Sequence, residues 1–216
     1  MTNKSAAVNQ CSKPTGWWGR VTLWRMNASH SKLTDWGLTH VSIGTGYTIL
    51  DVGCGGGRTV AKLAAVATQG KVYGVDYSDE SVEATKRTNA RWIAVGRVDI
   101  RHASVSQLPY SGDTFDLVTA VETHFWWPSL TSDMREVCRV IKPGGMLVVI
   151  AEVYKGANTM VSKLAEKYAP KTGMTLLSPK EHRELLESSG FSDVQVFEEQ
   201  AKGWISATGR KPIPGC

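Results

Sequence analysis

The chain has 216 residues, 42% of them hydrophobic, and carries 25 Lys and Arg against 20 Asp and Glu for a net charge of +5. That length suits one domain with a sizeable buried core and leaves too little chain for a second. Scattered mild basicity argues against a nucleic-acid arm, the four cysteines show neither a CxxC pair nor zinc spacing, and no run nears the ~18 apolar residues that span a bilayer.

In chain order, residues 1–15 are polar, without an apolar signal core, and read as a disordered lead. Residues 16–46 differ in kind. Trp17, Val21 and Trp24, then Leu33, Trp36 and His40, recur at helical spacings, which predicts two helices joined around residues 27–31 and acting as a lid. Residues 47–216 form the main domain, in which β-rich runs alternate with helical ones. Strands are predicted at 48–52, 72–76, 98–102, 116–121, 146–152, 194–199 and 204–208. Between them, residues 60–67 read as helix, and Ser78 caps a helix whose first turn holds Asp79 and Glu80. Leu130, Met134, Val137, Cys138 and Ile141 form an apolar stripe that Pro143-Gly144 is expected to stop, and Ser178-Pro179-Lys180-Glu181 has the capping-box pattern. Residues 154–174 are polar with scattered Met160, Leu164, Tyr168 and Met174, and read as a variable lid wall. Strands alternating with helices imply crossover connections and a largely parallel sheet.

The most informative run is Ile49-Leu50-Asp51-Val52-Gly53-Cys54-Gly55-Gly56-Gly57-Arg58-Thr59, a strand, a tight turn and a helix start. Glycines at 53, 55 and 57 permit positive φ and remove Cβ atoms, so a ligand can lie against the main chain beside free N–H groups. The next strand ends in Asp76, 19 residues after Gly57, which fits the roughly 20-residue spacing to a ribose-binding carboxylate. Turn and acid together point to an adenosine-type ligand.

With Val75-Asp76-Tyr77-Ser78, Leu108-Pro109-Tyr110, Phe115-Asp116-Leu117-Val118 and Lys142-Pro143-Gly144-Gly145, the run Leu50 to Gly57 resembles the class I S-adenosylmethionine-dependent methyltransferases, in particular their small-molecule, type 11-like branch. The resemblance spans residues 47–152. It implies an α/β fold, a Rossmann-like doubly wound sheet of seven mostly parallel strands closed by an antiparallel C-terminal hairpin, with N-terminal lid helices. It also implies S-adenosylmethionine as methyl donor and a small-molecule acceptor. The cysteine spacing, the scattered charge and the lack of a spanning stretch add the expectation of no metal, no nucleic-acid or membrane partner, and a cytoplasmic enzyme, a monomer or homodimer.

Asp51 is an acid within an apolar run, and because burying a carboxylate without a partner is costly it either meets the donor's ammonium, directly or through water, or anchors the glycine turn. Gly53, Cys54, Gly55 and Gly57 lie against the donor, Asp76 accepts from the two ribose hydroxyls, and Tyr77 packs on the adenine face. The family often has an acid four positions before the Leu-Pro-aromatic element; here that place is Ser104, whose hydroxyl accepts without charge assistance, so adenine recognition leans on the backbone at Val105.

The sulfonium already activates the methyl group, so the protein needs chiefly to hold an acceptor in line and exclude water. Candidates for this lie in Val121-Glu122-Thr123-His124-Phe125-Trp126-Trp127-Pro128. Val121 touches the donor, Glu122 orients, His124 is either a base or a core histidine, and Trp126 and Trp127 line an aromatic acceptor pocket. His30, in the polar joint of the lid, is the third catalytic candidate. Competing readings are a nucleic-acid methyltransferase, which lacks support from an Asn/Asp-Pro-Pro-aromatic tetrad after strand four, a catalytically silent cofactor-binding partner protein, and an NAD-linked dehydrogenase.

Overall fold

A computed structural model describes residues 31–215. The disordered lead, the first lid helix and His30 lie outside the described residues. The second lid helix is α1 (Ser31–Leu38). It is followed by β1 (Thr48–Val52), α2 (Arg58–Val66), β2 (Lys71–Asp76), α3 (Asp79–Thr88), α4 (Ala90–Ala94), β3 (Val98–His102), β4 (Phe115–Val121), α5 (Leu130–Val140), β5 (Ile141–Ala151), α6 (Met160–Thr172), α7 (Pro179–Ser188), β6 (Ser192–Glu199) and β7 (Trp204–Arg210).

The seven strands form one sheet in the order β3-β2-β1-β4-β5-β7-β6. The β1–β2, β1–β4, β2–β3 and β4–β5 pairs are parallel, and β5–β7 and β6–β7 are antiparallel. The chain reverses direction across the sheet between β1 and β4, the kind of switch point at which doubly wound folds open a crevice beyond the strand ends. Helices cover both faces, so β1 reads as a continuous apolar run interrupted only by Asp51, and its residues alternate between two cores. Leu50 and Val52 join Met134, Val137, Leu185 and Leu186 of α5 and α7. Ile49 joins Val60 and Leu63 of α2, Val82 of α3 and Leu33 of α1. In α1, a Cβ on Gly37 would stand 2.5 Å from Ile150, so the glycine lets the lid helix press onto β5.

Two of the differences from expectation have local reasons. The apolar stripe of α5 ends at Val140, before Pro143: Ile141 is already extended, at φ −77 and ψ 138, because it pairs with Phe115 across an irregularity in the β4–β5 ladder. Lys142-Pro143-Gly144-Gly145 therefore lies inside β5. Residues 154–174 contain a helix, α6, capped by the Thr159 side chain and ended by Gly173 at φ 75. The capping box at Ser178 is present in both directions. Among the described residues no helix is long and apolar enough to cross a membrane.

Candidate active site

A cavity of about 350 Å³ opens beyond the carboxyl ends of β1, β2 and β4. From β1 and its turn it is lined by Asp51, Val52, Gly53, Cys54 and Gly55, from β2 and its end by Val75, Asp76 and Tyr77, and from the loop after β3 by Ser104 and Val105. From β4 and its loop come Val121, Glu122, Thr123, Trp126, Trp127 and Pro128, while Ser31 and Thr34 of α1 and Arg58 and Thr59 of α2 complete the wall.

The glycine turn works differently from the sequence expectation. The N–H groups of Gly53, Cys54 and Gly55 are not free. Gly53 and Cys54 both donate to the Val75 carbonyl, at 2.8 and 3.0 Å, and Gly55 donates to Asp76 Oδ2 at 2.9 Å. The carbonyls of the turn are held from α3 and its C-cap: Thr85 Oγ1 donates to Gly55 O at 2.7 Å, Thr88 Oγ1 to Gly56 O at 2.8 Å and Asn89 Nδ2 to Gly57 O at 2.9 Å. Gly53, Cys54 and Gly55 border the cavity. Gly57 does not: at φ 82 it starts α2, and a Cβ there would meet the Asn89 amide at 2.6 Å. The turn is thus a wall braced from β2 and from the end of α3. Its clamp residues Thr85, Thr88 and Asn89 escaped sequence reasoning, although small polar residues three and four apart on one helix face were the available signal.

Two carboxylates stand at the wall. Asp76 Oδ1 accepts from Ser78 N–H at 3.0 Å while Oδ2 takes Gly55 N–H, so the group is fixed in orientation by the backbone on either side. Burial raises its pKa, and the bonds from Ser78 and Gly55 oppose the shift. Asp51 Oδ1 accepts from Thr119 Oγ1 at 2.6 Å. Burial pushes Asp51 up to about 7, the Thr119 bond working against it and the Asp76 charge adding to it. A buried carboxylate in that condition is a place for a cation.

The β4 loop supplies the opposite wall. Glu122 has φ +57, an uncommon conformation for a non-glycine residue, and is held there by its N–H to Ile150 O at 2.9 Å and by its side chain, whose Oε1 accepts from Glu152 N–H. Thr123 seals the contact with the glycine turn, since a Cβ on Gly53 would lie 2.2 Å from its Oγ1. The same hydroxyl receives Trp127 Nε1 at 3.4 Å. Ser104 is exposed at the rim, and its Oγ accepts from Ser106 N–H at 3.2 Å.

The structure places His124 elsewhere, correcting its reading as a base. Its ring is 2% exposed, is absent from the cavity lining, and meets His182 of α7 at 3.1 Å between the Nε2 atoms. His182 Nδ1 lies 2.9 Å from the Ser178 carbonyl and must donate to it, so His182 Nε2 accepts and His124 Nε2–H donates. His124 Nδ1 is left an acceptor, buried and without a partner. Burial, and secondarily the His182 charge, hold His124 well below the usual histidine range.

Residues 50–149 match the family model described as a methyltransferase domain. A demethylmenaquinone methyltransferase of Shouchella clausii is 30% identical over 204 residues, spanning 82% of this chain and 83% of that protein. An O-methyltransferase, cnsE, of Penicillium expansum is 29% identical over 71% of this chain but only 55% of its own length, so the chain spans little more than half of that relative. Among solved structures, an S-adenosylmethionine-dependent methyltransferase of Aquifex aeolicus superposes with a TM-score of 0.70 at 20% identity, covering 95% of this chain and 97% of that one.

Proposed function

Because the chain belongs to the class I S-adenosylmethionine-dependent methyltransferases, we propose that it transfers the methyl group of S-adenosylmethionine to a small-molecule acceptor held against the β4 loop. The observation that carries this reading is one cavity walled by the glycine turn and Asp76 on one side and by Glu122, Thr123, Trp126, Trp127 and Pro128 on the other.

The residues fit the donor. Asp76 is anchored on both oxygens by backbone N–H groups and keeps acceptor capacity for a vicinal diol, since an ionised carboxylate has about four lone-pair sites. Asp51, pushed up to about 7 by burial, suits an ammonium. Tyr77, which lines the cavity beside Asp76, offers its ring to a planar base, and Ser104 and Val105 form the far rim. S-Adenosylmethionine supplies a methyl group on a positively charged sulfur, already activated for transfer.

What the chain's own residues do is position and exclude. Trp126 and Trp127 offer flat apolar walls and keep water from the acceptor. Glu122, fixed by the backbone at Ile150 and Glu152, orients a hydroxyl or amine of the acceptor rather than swinging freely. With His124 turned to His182, no step is assigned to a histidine base. The buried thiols Cys54 and Cys138 are free, which supports a reducing, cytoplasmic setting, and the enzyme acts as a monomer or homodimer.

The test is calorimetric. Asp76→Ala is expected to weaken S-adenosylhomocysteine binding at least about tenfold, because a charge-assisted contact is worth roughly 1.5–3 kcal/mol. Unchanged affinity would reject the placement. Glu122→Gln is expected to leave that affinity intact while lowering kcat/KM on the acceptor.

A further inference from the structure

We propose that the outer face of α6 docks on an anionic lipid surface. Met160, Val161 and Leu164 are 85, 56 and 54% exposed, three large apolar side chains on one thirteen-residue helix. Met160 and Leu164 stand four residues apart and Tyr168 four further on, so they share one side of the helix. Lys163, Lys167 and Lys171 repeat at the same interval along its border. The one carboxylate of α6, Glu166, is engaged with the Gly156 N–H at 2.6 Å. The inner side is committed elsewhere: Ser162 is buried and bonded to Thr159, and Ala165 packs on the Phe125 and Tyr154 cluster. Apolar side chains bordered by lysines on a helix lying flat are what an interfacial helix presents to lipid, the ammonium groups meeting headgroups while the apolar atoms enter the acyl boundary.

Charge decides among occupants. A second copy packed through the same face would bring lysines against lysines. The chain's own residues 1–30 carry Lys4, Lys13, Arg20 and Arg25 and no acid, so they cannot neutralise α6. Their Trp17, Trp18 and Trp24 are, moreover, the residue type favoured at lipid interfaces. An anionic bilayer complements both. The expectation of no membrane partner rested on the length needed to span a bilayer, and a helix lying on one obeys a different criterion. The cluster under Ala165 also contains Trp126, which lines the cavity, so the docked face lies one layer of side chains from the acceptor wall.

The experiment is co-sedimentation of the full chain with vesicles of phosphatidylcholine alone and of phosphatidylcholine with about one-third phosphatidylglycerol. Pelleting only with the anionic vesicles, weakening as salt is raised, is expected. Replacing Lys163, Lys167 and Lys171 together by Gln should weaken it on the order of 100-fold, at about fivefold per lysine. Met160→Ser with Leu164→Ser should abolish it, while both variants keep the wild-type response of Tm to S-adenosylhomocysteine. No pelleting, or equal pelleting of the variants, overturns the proposal. So does a serine variant that loses stability without any vesicle binding, which would mean that the chain itself covers this face, or a concentration-dependent dimer that the serine changes dissolve.

Discussion

Asp51 is the residue whose charge state the structure constrains most usefully. A carboxyl group held at about 7 by burial is largely protonated at pH 6 and largely ionised at pH 8. A cation bound beside it favours the ionised form, so binding must release a proton below pH 7, and affinity for S-adenosylhomocysteine, which keeps the ammonium, should tighten about tenfold from pH 6 to pH 8. Asp51→Asn should flatten that profile, whereas a parallel profile in the variant would mean that another group is responsible. His124 obeys the opposite logic. Its folded-state pKa lies well below the unfolded value near 6.5, so the stability it protects is complete above pH 6.5 and is lost as pH falls from there toward the folded value. His124→Phe is therefore expected to reduce the slope of Tm between pH 6.5 and 5 while leaving S-adenosylhomocysteine affinity unchanged; a loss of affinity with unchanged Tm would return the ring to the active site. Nothing local in Thr-His-Phe-Trp separates these roles. The deciding partner, His182, is 58 residues away, and only folding brings it to 3.1 Å.

At the scale of elements, the turn after β1 shows why glycine is required and for what. Gly53 and Gly96 have nearly the same φ, +72 and +73, yet a Cβ at 53 meets Thr123 at 2.2 Å whereas nothing lies within 4 Å of one at 96. Gly96→Ala should cost about 1–2 kcal/mol, the strain of left-handed backbone alone. Gly53→Ala carries the same strain plus a displacement of Thr123 and with it Trp127, so urea denaturation should show a larger loss and calorimetry a weaker cofactor complex; equal losses would refute the contact. Strands were legible in sequence because β-branched runs bounded by glycine and acids have one period to follow, and β1 and β3 fall where that reading puts them. The build of the turn was half legible. Its positive φ values follow from composition, but the capture of its N–H groups by Val75 and Asp76 and of its carbonyls by α3 depends on neighbours that no local pattern specifies. For the same reason α6 was missed: its apolar side faces out, which removes the usual inward stripe.

For the whole molecule, the sign and spread of charge bear on the rival nucleic-acid reading. The excess of five cations is small, and many of the described basic groups are matched across the surface: Lys62 with Asp35, Arg101 with Asp99, Arg139 with Glu136, Lys142 with Asp116, Lys155 with Glu181 and Lys211 with Asp113. These pairs lie on elements from α1 to beyond β7, and none forms a stripe that tracks a phosphate backbone across the cavity mouth. The basic groups concentrated on α6 are interleaved with Met160 and Leu164, which a phosphate backbone has no use for and an acyl layer does. A protein neutralising several phosphates would bind RNA with a steep salt slope. Here a gel shift with bulk tRNA at about 0.15 M salt should show no retained complex, while S-adenosylhomocysteine raises Tm under the same conditions as any ligand that binds only the folded state must. A tRNA complex that dissolves steeply with salt would reverse the assignment of the acceptor. It would make the cavity between Asp76 and Trp127 the end of a nucleic-acid groove rather than a small-molecule site.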